Sequence, residues 1–159
     1  MRHPIVSCAW RSIGLLLAWA LLTLGQTTAW AQQPQLNLPR IQLQAGMHLI
    51  TAQVANTHQQ RAIGLMWRQD MAPNEGMIFI FEQPQRQCFW MQNTFLPLSA
   101  AFIDDDGTIV NLADMQPLTT DAHCSDKPVR FVLEMHQGWF AQRGIVAGQR
   151  IRGSLFSAQ

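Results

Sequence analysis

Beyond residue 40 the apolar residues of this chain come in runs of strand length, each closed by Gly, Pro, Asn or Asp, and no long amphipathic helix is written anywhere. Met47 to Ala55 fits one buried and one exposed strand face and ends at Asn56-Thr57. Met77 to Phe81 and Cys88 to Met91 flank the polar stretch Glu82 to Gln87, and this pairing suggests a hairpin. Leu98 to Ile103 and Thr108 to Leu112 lie on either side of Asp105-Asp106-Gly107, where an Asp-Gly pair is a strong hairpin signal. In Val129 to Met135 the residues alternate, so Arg130, Val132 and Glu134 share a face that reads as exposed or as a rim. Arg150 to Leu155 would close the domain.

Two short helices interrupt the strands. Thr57-His58-Gln59-Gln60 has the form of a capping box and should start a helix running through Leu65 or Met66. Gly138 to Arg143 reads as one helical turn ending at Gly144. The fold class is therefore mainly β, a compact β-sandwich or barrel with two short helices, and the missing long helices argue against a parallel α/β sheet.

The N-terminus has a different character. Arg2, His3 and Arg11 precede an uninterrupted apolar stretch from Ile13 to Leu24, and Ala29-Trp30-Ala31 places small residues where signal peptidase inspects them. Twelve helical residues span about 18 Å, short of a hydrocarbon core of roughly 30 Å, so a cleaved leader is favoured over a retained anchor. Cys8 precedes the apolar stretch and cannot serve as a lipidated N-terminus. The chain thus divides into a signal peptide, residues 1–31, a flexible linker, residues 32–45, and a single β-rich domain, residues 46–155. The linker is Gln- and Pro-rich to Pro39, and the fold itself begins near Ile41. The expected location is the periplasm or the exterior, with cleavage after Ala31.

The whole chain carries a formal charge of +1, and losing Arg2 and Arg11 turns this slightly negative. The remaining Arg and Lys are scattered, which argues against nucleic acid as a partner; after signal cleavage no membrane span remains. An unidentified small molecule or envelope protein is the expected partner. Of the three cysteines only Cys88 and Cys124 outlast the leader, an even pair in an oxidising compartment, where a disulfide is the default. Such a bridge would contribute about 4 kcal/mol at most. Free thiols and metal ligation remain the alternatives.

Several motifs recur in a fixed order: Arg61-Ala62-Ile63-Gly64-Leu65-Met66-Trp67-Arg68, Glu75-Gly76-Met77-Ile78-Phe79-Ile80-Phe81, Phe89-Trp90-Met91-Gln92-Asn93-Thr94, Pro97-Leu98, Phe102-Ile103-Asp104, Asp106-Gly107, Pro128 to Glu134, and Gly138. Together they resemble the bacterial and archaeal family called domain of unknown function 192, over roughly residues 46 to 152. The resemblance implies a compact, often exported β-rich domain with no settled activity. The cysteine pair is not part of the general family pattern and looks like a feature of an exported proteobacterial subset.

The densest polar cluster is Trp90, Asn93 and Thr94. Asn and Thr at a strand exit commonly cap a turn. The functional alternative is a concave ligand site in which Trp90 supplies a flat apolar face, Asn93 and Thr94 directional contacts, and Arg61 or Arg68 charge. Either arginine could instead pair with Asp104 or Glu134. Asp104-Asp105-Asp106-Gly107 lacks the spacing and closing Glu of a helix-loop-helix calcium site and reads as a turn. The Met residues with Cys88, Met91, His123 and Cys124 raise a soft copper site, though Met is more often a core filler. A cysteine nucleophile activated by His123 would be silenced by oxidation.

No complete catalytic set, cofactor motif or paired-His zinc motif is present. The favoured reading is a non-enzymatic binding or accessory protein of the periplasm. An envelope enzyme using Arg61, Asn93 and Thr94, and a copper-binding protein, are the alternatives. For protein exported by a Gram-negative host, the intact mass is expected to match a chain starting at Gln32 with two hydrogens fewer than the reduced form; a chain starting at Met1 with reduced thiols would contradict the leader reading.

Overall fold

The computed structural model describes residues 33–156; the expected signal peptide, residues 1–31, and its cleavage point lie outside them. Arg40–Ala45 (β1) and His48–Ala55 (β2) form an antiparallel hairpin through Gly46, whose φ of 59° suits glycine. Residues 40–45, assigned above to the linker, are thus part of the sheet. The segment before them is bonded to the fold as well: Pro39 O accepts from Val54 N, and the Gln35 side chain donates to Gln60 O and Gly64 O.

His58–Ile63 (α1) begins at the expected capping box, with Thr57 accepting from Gln60 N and the Gln60 side chain accepting from Thr57 N. It stops at Ile63, short of the expected Leu65 or Met66, because Gly64 turns the chain with φ 51°. A Cβ there would come within 3.3 Å of the Phe79 ring, so the glycine also lets the helix end rest on that ring.

Glu75–Gln85 (β3) then runs parallel to β2, the single parallel pair among the strands described here. Cys88–Phe89 (β4), Leu98–Ile103 (β5), Ile109–Met115 (β6), His123–Cys124 (β7), Val129–His136 (β8), Trp139–Gln142 (α2) and Ile151–Arg152 (β9) complete the order. Seven strands form one sheet, β6-β5-β8-β3-β2-β1-β9, and β4 pairs with β7 in a separate two-stranded ribbon. The sheet is a curled half-barrel whose two edges touch at one end. Thr108 bridges Arg150, Ile109 N donates to Gln149 O, and Ile151 N donates to Gly107 O. Fold class is therefore mainly β with two short helices, built on this half-barrel.

Two more expectations fail for physical reasons. The anticipated hairpin between Met77–Phe81 and Cys88–Met91 does not form, because both edges of β3 are occupied by β2 and β8; Cys88–Phe89 crosses the sheet face and pairs with His123–Cys124 instead. The closing strand is only Ile151–Arg152. At Gly153 a Cβ would sit 2.5 Å from Leu43, and the chain turns there, with Phe156 N donating to Gly153 O.

The sheet is buried on both sides. One apolar cluster draws on all seven strands and α2, including Leu43, Ile50, Ile78, Phe131, Leu133, Ile151 and Phe140. The other lies on the opposite face, where Met77, Phe79, Leu98, Phe102 and Val132 are covered by Leu65 beyond α1 and by Met91 and Leu96. Each such fully buried large side chain contributes about 1.5–3 kcal/mol. Double burial removes the expected exposed face of β8: Arg130 is half-buried and pairs with Asp105, but Val132 and Glu134 are inside.

Asp104-Asp105-Asp106-Gly107 forms the turn between β5 and β6, and each acid takes a different cation: Asp104 Lys127, Asp105 Arg130, Asp106 Arg150. Hydrogen bonds from Lys127 to Asp104 and from Thr108 to Asp106 hold both carboxyls below the ordinary range. Gly107 and Gly148 share a φ of 87°, but a Cβ on Gly107 would meet Ile151 O at 2.2 Å whereas one on Gly148 meets nothing. Gly148→Ala is expected to cost about 1 kcal/mol from the dihedral alone and Gly107→Ala about 3 kcal/mol, because the edge contact must also shift. Denaturant unfolding of both variants checks this, equal losses ruling it out.

Candidate functional site

Between α1, β3 and the Gln85–Trp90 segment lies a cavity of about 510 Å³. Three features of the chain build it. The capping box and Gly64 lay α1 against β3, so Arg61, Leu65 and Phe79 face the same space. The β4–β7 ribbon holds Phe89 and Trp90 over the sheet. Its anchors are the Cys88–Cys124 disulfide, with Cα atoms 4.0 Å apart, and a two-way exchange in which Ser125 N donates to Gln87 O and Gln87 N to Ser125 Oγ. Finally, Trp67 N donates to Asn93 O at 2.8 Å, tying the exit of α1 to the exit of β4 through two residues that both have positive φ.

The walls are aromatic. Phe89 stands edge-on to Phe79 at 4.8 Å and to Phe81 at 6.4 Å, and the half-exposed Trp90 lies at the rim. Arg61 is pinned there by Nη1, which donates to Asn56 O and Ile80 O, and its guanidinium sits 5.0 Å from the centre of the Phe81 ring.

Glu134 also lines this cavity, and sequence reading missed it. It occupies the middle of a row crossing five strands, Gln53–Met77–Glu134–Ala100–Ala113. Its immediate neighbours in that row are apolar, it is 4% exposed, and no group among the described residues donates to its carboxyl. Burial alone pushes the carboxyl up to about 8, so at neutral pH it is largely a protonated acid facing a cavity. One signal for it was present: Phe131-Val132-Leu133 is apolar on both faces, which is the mark of a doubly buried strand, and Glu134 continues that run.

The other candidate residues separate. Arg61, Trp90 and Thr94 line one cavity. Asn93 does not line it; with φ 59° it is the third residue of the turn in which Thr94 N donates to Met91 O. Arg68 is buried elsewhere and donates to Gln35 O and Gln53 Oε1, while Gln53 in turn donates to Glu75, which also pairs with Arg40. Desolvation lowers the Arg68 pKa, and the nearby Glu75 opposes that. Neither arginine pairs with Asp104 or Glu134, the partners anticipated above. Cys88 and Cys124 are joined and Met91 is in the core, so the suggested copper set and cysteine nucleophile are not assembled. Among the described residues no three His, Cys, Asp or Glu side chains gather as a metal set.

The structure therefore defines a small mainly β protein with a cavity on the outer face of a half-barrel. The chain belongs to the family of domain of unknown function 192, described as an uncharacterised ACR, whose model matches residues 41–153. It is similar to a proposed transcription regulator from Sinorhizobium meliloti 1021, with 34% identity, a TM-score of 0.70, and 76% of this chain and 98% of that one covered. It is also similar to a protein of unknown function from Novosphingobium aromaticivorans DSM 12444, with 30% identity, a TM-score of 0.71, and coverage of 81% and 99%. No curated protein matches it.

The raised Glu134 carboxyl has a measurable consequence. Between its ordinary value of 4.5 and about 8 the unfolded chain has lost this proton and the fold retains it, so its contribution to stability falls as pH rises through that window and is level above it. Glu134→Gln is expected to gain on the order of 5 kcal/mol over the natural protein between acid and alkaline pH, other titrations cancelling in the difference. Denaturant unfolding across the window measures this, and parallel pH profiles for the two proteins would refute it.

Proposed function

We propose that this protein is a non-enzymatic binding protein of the cell envelope that holds a small molecule in the cavity between α1, β3 and β4. The observation that carries this reading is Glu134. A carboxyl buried in an apolar sheet face with no donor among the described residues costs stability, and a ligand that pairs with it would offset that cost. Aromatic walls, a charged group at the rim and the Thr94 hydroxyl are the usual furnishings of such a site.

The envelope location is supported by the leader-like N-terminus and by the disulfide that braces the cavity. Among the described residues no helix is long and apolar enough to cross a membrane. Regulation of transcription is attributed to the Sinorhizobium relative; in this chain Arg40, Lys127, Arg130 and Arg150 are spent on ion pairs, which argues against a surface built for phosphates. A second reading, an enzyme with Glu134 as proton donor, is favoured only by its raised pKa, and among the described residues no nucleophile or base pairs with it.

The test uses the dye 1-anilinonaphthalene-8-sulfonate as an apolar probe. Saturable binding at one site is expected, lost in Ala62→Trp, where an indole on the α1 wall fills the cavity while circular dichroism stays native. Equal binding by that variant, or none by the natural protein, would overturn the reading.

A further inference from the structure

Arg61 and Glu134, two of the polar residues lining the cavity, lie at different levels along β3. Arg61 is anchored at Ile80 and Phe81; both its hydrogen bonds use Nη1, at 2.7 Å and 2.8 Å, so Nε and Nη2 have no partner among the described residues. Glu134 lies opposite Met77, three to four residues back along the strand. At a strand rise of about 3.3 Å per residue these levels are about 12 Å apart. Phe79 lies between them, with Phe89 packed edge-on against it. The cavity is therefore a slot with a fork of N–H donors at one end, a carboxyl at the other and aromatic rings in the middle.

We propose that this slot takes a small amphoteric molecule, with an ammonium seated on Glu134, a carboxylate seated on Arg61, and an apolar chain between them. The proposal rests on the cavity being a ligand site, and names the ligand class. A purely anionic ligand would satisfy Arg61 and bring no cation to the Glu134 carboxyl. A purely cationic one would meet Glu134 but sit in the field of Arg61. Glycine holds its ammonium and carboxylate on the same carbon and cannot span the two levels.

Occupancy is coupled to a proton. When the slot is empty Glu134 is largely protonated below about pH 8. Seating R–NH3+ on it converts the carboxylic acid to carboxylate and releases one proton to solvent, with no covalent bond made or broken in the ligand. The other titratable groups on the cavity wall are His58 and Arg61, both on α1; no second carboxylate lines it. Affinity therefore tightens by up to about tenfold per pH unit towards pH 8 and then levels.

Titration calorimetry on the natural protein, Glu134→Gln, Arg61→Lys and Arg61→Met would use glycine, 4-aminobutanoate, 6-aminohexanoate, 8-aminooctanoate, hexanoate and hexylamine as probes. An optimum at intermediate chain length is expected, with hexanoate and hexylamine at least about tenfold weaker than 6-aminohexanoate. Glu134→Gln should bind 6-aminohexanoate no better than hexanoate. Arg61→Met should lose the advantage over hexylamine, and Arg61→Lys should recover part of it. Runs in two buffers of different ionisation heat should show one proton released per ligand near pH 6. Glycine or hexanoate matching 6-aminohexanoate, or an unaffected Glu134→Gln, would overturn the proposal. If the anilinonaphthalene dye saturates the cavity while no amphoteric probe binds, only the ligand class is wrong; if neither binds, the cavity reading falls with it.

Discussion

Burial of the central strands on both faces is the constraint from which the rest of the structure follows. β3 and β8 pair with each other and each has another strand on its far edge, so neither has a free row of backbone groups. Their side chains feed two cores at once: Ile78 and Leu133 on one side, Met77, Phe79 and Val132 on the other. A sheet of this kind must be covered on its outer face, and the chain meets that need with α1 and the β4–β7 ribbon, pieces too short to be stable alone. The cavity is the space that this thin cover leaves unfilled.

Local signals in the sequence were good guides to local structure. The capping box starts α1 at the expected residue, and Asp-Gly between two apolar runs gives the β5–β6 hairpin. Pairings set by tertiary context were not readable in the same way. The parallel contact of β2 with β3 depends on a crossover through α1, and the partner of Cys88–Phe89 lies beyond β6. Strand-length runs announce that strands exist, and only the hydrogen-bonding capacity already used by neighbours decides which of them pair.

The candidate site shows the same division. Arg61, Trp90 and Thr94 were visible as polar or amphipathic residues beside strand ends, and they share one cavity. Asn93 and Arg68 were drawn from the same motifs but serve a turn and a buried bonded network. Glu134 is hidden in the sequence because alternation in β8 reads as the mark of a solvent face, whereas a doubly covered strand places even its polar residues inside. Its chemical character is created by Ala100, Met77 and the absence of a donor among the described residues rather than by its neighbours in sequence.

The meeting of β6 with β9 has a further consequence for how this molecule behaves among its own copies. An open sheet would present β6 as a bare border onto which another chain could lay a strand. Here the start of that border is tied off at Thr108 and Ile109, and further along Asn111 uses its side-chain amide both to donate to Cys124 O and to accept from Asp126 N, occupying the border with a loop. The half-barrel thereby covers part of its own open border without completing a full circle of strands.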